Sequence, residues 1–184
     1  SRCGWLEVLN KNKDENFATY VNSLLAAKRL EVSSTTVPQM SSPRVKGDER
    51  YPAHLERREA MYAQRAQECL EALQGCDSII VNTPHGAFYV TDMFKPGVLN
   101  KQQTLPIENK EIREYIESMV PNVSPDKRFV YYLMGALGIV VVPLTGFQCT
   151  HEGFRMTLLE NDESKRAWIF KSIREAIDQY VASA

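Results

Sequence analysis

The chain has 184 residues, 43% of them hydrophobic and 24% charged, which is enough to build a sizeable core in one or two domains. Its 22 basic residues nearly balance 23 acidic ones, so the net charge of -1 provides neither a basic field for nucleic acid nor an acidic tail. No apolar run approaches the roughly 20 residues of a membrane-spanning helix, and no signal peptide stands at Ser1.

The first predicted element is a strand over residues 4–9, GWLEVL. No earlier segment is there to pair with it, so it is expected to belong to a sheet supplied by residues upstream of Ser1. The polar run NKNKDEN separates it from a helix whose Phe17, Val21, Leu24 and Leu25 recur at helical spacing. The stretch VSSTTVPQMSSPRVKGDERYP, rich in Ser, Thr and Pro, predicts a mobile connection. It also predicts a boundary, dividing the chain into residues 1–47 and 48–184. A long helix is expected over 52–75, with Leu55, Tyr62, Ala66, Cys69 and Leu73 on one face and Gly75 where a left-handed residue ends it.

Two segments rich in β-branched and aromatic residues follow, DSIIVNTP and GAFYVTDM, separated by Pro84-His85-Gly86. The run KPGVLNKQQTLPIENK reads as a loop, leading to a helix with Ile112, Tyr115, Ile116 and Met119 on one side and Pro121 as its stop. Ser124 is placed to cap the next helix, Pro125 fits its first position, and Asp126 meets the positive end of its dipole. Phe129, Val130, Leu133, Met134 and Leu137 make its buried face, and Gly138 ends it. IVVVP predicts a strand buried on both faces, whereas GFRMTLLE predicts one that alternates. Asn161 and Asp162 cap a last helix striped by Ile169, Ile173, Ile177 and Tyr180. The expected class is α/β: four short strands in a mostly antiparallel sheet, with helices on one face.

Chemistry-bearing residues are sparse. Cys3, Cys69, Cys76 and Cys149 form no C-x-x-C pair and lack histidines at zinc spacing, so reduced thiols and no metal are expected. Arg155 falls on the face of its strand opposite Phe154, Met156 and Leu158. A guanidinium there is either a bidentate carboxylate grip or an ordinary arginine on a solvated sheet. Thr145-Gly146-Phe147 closes an apolar strand at Pro143 and offers backbone amides and a hydroxyl, or forms a plain turn. His85 is an acid or base candidate, or a surface turn residue. Arg2 suits a phosphate but by itself says little. No Ser/His/Asp set, Gly-rich phosphate loop or paired-carboxylate motif is present.

Four segments taken in order carry a resemblance. RCGW resembles the Arg-x-Gly-Tyr/Trp sequence of fold-type I pyridoxal-phosphate aminotransferases, and PHGAFY resembles their Pro-x-Gly-Ala-Phe/Tyr turn. GIVVVPLTGF is similar to their Gly-Ile-x-Val-x-Pro-Gly-Ser-x-Phe segment, and GFRMTLLE to their Phe/Leu-Arg-hydrophobic-Thr strand. The resemblance covers essentially the whole chain as the C-terminal portion of such an enzyme, with alanine aminotransferase-like members nearest in pattern. It implies an aminotransferase small domain over 48–184 and a remnant of the large cofactor-binding domain over 1–47.

By the same resemblance Arg2 holds the phosphate of pyridoxal 5'-phosphate, and Arg155 holds the α-carboxylate of an amino-acid or 2-oxo-acid substrate. Leu144 stands where the family usually has Gly, and the stretch 95–109 is longer than the usual connection. The Schiff-base lysine of the family lies upstream of the phosphate-binding arginine, and no lysine of this chain sits in that context. The chain alone is therefore expected to be inactive, and its parent to be a homodimeric transaminase of the cytoplasm or mitochondrion. A related pyridoxal-phosphate lyase, or a non-catalytic interaction domain derived from the small domain, are the alternatives.

Overall fold

A computed structural model describes residues 3–31 and 35–184, and the chain divides into two compact units, Ser1–Glu56 and Arg57–Ala184. Arg2 lies outside the described residues.

In the first unit residues 3–9 form no strand, and Trp5, Leu6 and Leu9 are exposed. A strand needs a neighbour to take its backbone hydrogen bonds, and no described residue of this unit lies in a strand. Helix α1 (Glu15–Arg29) follows a single 3-10 turn. The Asp14 side chain caps it by accepting from the Phe17 N–H at 2.6 Å, and Val21 is its buried residue. The expected loop contains a second helix, α2 (Thr36–Lys46). Two prolines argue against a helix there, but Pro38 occupies the first turn, where no N–H is needed, leaving Pro43 alone to remove an internal bond.

Helix α3 (Tyr51–Leu73) begins in the first unit and runs into the second, and Gly75 follows at φ 73°. Next come β1 (Ile79–Val81) and β2 (Tyr89–Phe94), then α4 (Lys110–Met119), capped by Asn109. Only Ile116 of the expected apolar side of α4 is fully buried; Ile112 and Tyr115 are exposed. Helix α5 (Pro125–Leu137) starts on Pro125 and ends at Gly138, whose φ of 68° is the left-handed cap expected. Strand β3 (Val142–Pro143) is shorter than predicted and is not buried on both faces. Ile139 and Val141 are buried, but Val140 is 70% exposed and Val142 also faces outward, because helices cover only one face of the sheet. Strand β4 (Gly153–Thr157) alternates as expected, and α6 (Glu163–Val181) is capped by Asp162, which accepts from the Lys165 N–H at 2.8 Å.

The sheet is antiparallel throughout, in the order β1-β2-β4-β3. Its inner face carries Ile79, Val90, Phe94, Phe154 and Met156, packed into one core with Cys69 and Leu73 of α3, Phe129 and Leu133 of α5, and Ile173, Ile177 and Tyr180 of α6. Phe129 is the hub: its ring centroid lies 5.1 Å from Phe94, 5.6 Å from Phe154 and 5.2 Å from Tyr180. Each fully buried ring or aliphatic chain of this kind contributes roughly 1.5–3 kcal/mol. Helices therefore cover one face, and the other, with Ile80, Tyr89, Thr91, Val142 and Arg155, stays open within this unit.

The long stretch 95–109 has its own fixed structure. The buried Gln103 accepts from the Asn100 N–H at 2.8 Å and donates to the Val98 carbonyl at 2.9 Å, and its own carbonyl accepts from Arg128 at 3.0 Å.

Candidate functional site

Strand β4 sits between β2 and β3, so its outward side chains have neighbours on both sides. In register, Thr91 of β2 and Val142 of β3 lie directly across from Arg155, and residues directly opposite share a face. Gly153 allows this pairing. A Cβ at that position would meet the Asp92 carbonyl oxygen at 2.2 Å and the Leu144 side chain at 2.8 Å.

Arg155 is half-buried, and its guanidinium makes no hydrogen bond or ion pair with any described residue. Its neighbours are two rings: the Cζ lies 4.4 Å from the Tyr89 centroid and 4.2 Å from the Phe147 centroid. A guanidinium carries its five N–H donors in its plane, and contact between its Cζ and ring faces consumes none of them.

The other shielded arginines differ. Arg65 donates to the Leu158 carbonyl and the Asn161 side chain, Arg128 to the Gln103 carbonyl, and Arg166 to Glu68 at 2.7 Å. Arg113 donates to the Ile107 carbonyl, and Arg174 to Asp178 and to the carbonyls of Gln74 and Gly75. The Arg166 guanidinium beside Glu68 holds that carboxyl below its ordinary range. Among the described residues, Arg155 is the one shielded arginine whose donors remain unspent.

The turn after β3, Leu144–Phe147, does not offer the groups expected of it. The Thr145 N–H donates to Asp126 Oδ2 at 3.0 Å and its hydroxyl to Oδ1 at 2.7 Å. Asp126 was expected only to meet the α5 dipole, and Ser124 only to cap that helix. Instead the Ser124 side chain makes no capping bond and donates to Asp126 at 2.7 Å. Both residues are spent on fastening the turn to α5. The turn's free contribution is Phe147, whose ring reaches Arg155. Leu144, at the position where the family usually has Gly, is buried.

His85 is exposed in the loop before β2, away from any paired acid or base. The four cysteines are free, and no group of three or more metal-ligating side chains occurs among the described residues. Tyr89 was not singled out from sequence. Its place two residues before Thr91 on the neighbouring strand, diagonal to Arg155, was the available signal.

An unspent guanidinium flanked by two rings thus stands on the open face of a small antiparallel sheet in an α/β domain. The sequence matches the family aminotransferase class I and II over residues 1–168, and the chain belongs to that family. It is 44% identical over 181 residues to an uncharacterized aminotransferase of Methanocaldococcus jannaschii, a match taking in 98% of this chain and 42% of that protein. The chain thus spans less than half the length of this relative. Among solved structures, an aspartate aminotransferase from Rhodobacter sphaeroides aligns over 66% of this chain and 24% of its own, at 20% identity and a TM-score of 0.44. One from Rhizobium meliloti aligns over 64% and 25%, at 24% identity and a TM-score of 0.46.

Proposed function

We propose that this chain forms part of a pyridoxal-phosphate-dependent aminotransferase that moves an amino group between an amino acid and a 2-oxo acid, and that Arg155 grips the α-carboxylate of both. The observation that carries the reading is the contrast among arginines: among the described residues every other shielded guanidinium donates to the protein, and Arg155 waits for an anion. Its planar fork matches a carboxylate's two oxygens, and family membership supplies substrates that carry one.

Pyridoxal phosphate, when bound, supplies the electron sink for cleavage at the substrate α-carbon. In this chain only Arg2 is proposed to touch it, at its phosphate, and no lysine of the chain is proposed for the Schiff base. The described residues around Arg155 suit the substrate's carboxylate, and their role is to bind and orient it. Residues 1–47 are assigned to the large domain and 48–184 to the small one, within an intracellular homodimer. Among the described residues no helix is long and apolar enough to cross a membrane.

The test is Arg155→Lys in the cofactor-loaded whole enzyme that includes this chain. It keeps the charge but removes the fork, and it should raise KM for the amino donor about tenfold or more while the cofactor stays bound. Kinetics equal to wild type would make Arg155 an ordinary sheet residue.

A further inference from the structure

Arg155 is held as well as unpaired. Tyr89 approaches from β2 and Phe147 from the turn after β3, the strands on either side of β4, and both rings lie within 4.4 Å of its Cζ. Phe147 is 46% exposed and has no aromatic partner; its ring is spent on the guanidinium. A surface phenylalanine is held there for a reason that core packing does not supply.

The support behind Phe147 is polar. Asp126 is fully buried at the start of α5. Its Oδ1 accepts from the Ser124 hydroxyl, the Lys127 N–H and the Thr145 hydroxyl, each at 2.7 Å, and its Oδ2 accepts from the Thr145 N–H at 3.0 Å. Charge-assisted bonds of this kind are the strong ones. Thr145 is two residues from Phe147, and the buried Leu144 anchors the same turn on its other side.

We propose that Tyr89 and Phe147 are positioning residues that fix the plane of the Arg155 guanidinium for a carboxylate, and that Asp126, through Thr145, holds Phe147 in place. This rests on the reading of Arg155 given above. A free arginine side chain gives up rotamer freedom when it grips a ligand, whereas one already packed against two rings has given up part of it on folding, so the anion is bound more tightly.

The experiment uses the cofactor-loaded whole enzyme of which this chain is proposed to form part, with alanine as donor and 2-oxoglutarate as acceptor. It adds a calorimetric titration of 2-oxoglutarate into the cofactor-free protein. Phe147→Leu and Tyr89→Leu keep bulk but remove the ring. Each should raise KM for both substrates about fivefold and weaken the calorimetric Kd by the same factor, with kcat changed less than about twofold. Phe147→Tyr, which restores a ring, should bring KM back towards wild type, and Thr145→Val should raise KM in the same direction as Phe147→Leu. Wild-type KM and Kd in both leucine variants, alongside an impaired Arg155→Lys, would overturn the positioning role and leave the carboxylate grip standing. Wild-type behaviour of Arg155→Lys itself would remove the grip and the positioning role together. A wild-type KM in Thr145→Val, with Phe147→Leu impaired, would remove Asp126 from the device.

Discussion

At the scale of single residues, two side-chain choices decide whether Arg155 can stand where it does. Gly153 lets β4 approach β2 so closely that an added methyl would occupy the space of the Asp92 carbonyl oxygen, a backbone atom that cannot swing aside. Gly153→Ala should therefore force β4 away from β2 and cost on the order of 3 kcal/mol, read as a lower denaturant midpoint with an unchanged slope. A stability equal to wild type would mean that the two strands separate without penalty. Asp126 is the second choice. Asp126→Ala would strand the Thr145 amide beside α5 and leave its hydroxyl only Ser124, 2.9 Å away, and should cost about 1–3 kcal/mol in the same measurement.

At the scale of elements, the signals with a local mechanism were legible in the sequence. Asp162 and Gly138 ended or began helices where their chemistry required it, and the alternation of Phe154, Met156 and Leu158 placed Arg155 on the outer face of β4. What the sequence hid depended on neighbours. The apolar run Ile139–Pro143 looked doubly buried, yet the helices cover only one face of the sheet, and Val140 and Val142 face outward. The run 4–9 has strand composition but lacks a described partner, and composition cannot supply one. The α2 segment was hidden by its prolines, since turn chemistry and first-turn helix chemistry use the same residue. In the site, Arg155 was visible as a candidate. Its state was not, because an unspent guanidinium is recognised only once the partners of Arg65, Arg128 and Arg166 have been seen. Asp126 looked like a dipole partner because its bonds to Thr145 span 19 residues of sequence.

At the scale of the whole molecule, the core holds a carboxyl with no hydrogen-bond partner among the described residues. Asp92 lies in the central strand β2 facing inward; it is fully buried, and neither carboxyl oxygen has a hydrogen bond. Burial pushes its pKa from 3.8 up to about 7. The proton is thus held more tightly in the folded chain than in the unfolded one. Well below pH 3.8 both states are neutral and Asp92 imposes no charge penalty. As the pH rises to about 7 the unfolded state ionises first and stability is lost, and above that the penalty is complete, at roughly 4 kcal/mol. Asp92→Asn should raise the melting temperature at pH 8 and come close to wild type near pH 3; an equal gain at both would locate the effect in packing rather than in charge. The account as a whole rests on Arg155 reading a carboxylate. The most direct measurement compares kcat/KM for alanine and for alaninamide, which lacks that charge, in wild type and in Arg155→Ala. Wild type should prefer alanine by about a hundredfold or more, and Arg155→Ala should bring that ratio close to one. A preference that survives the substitution intact would contradict the account.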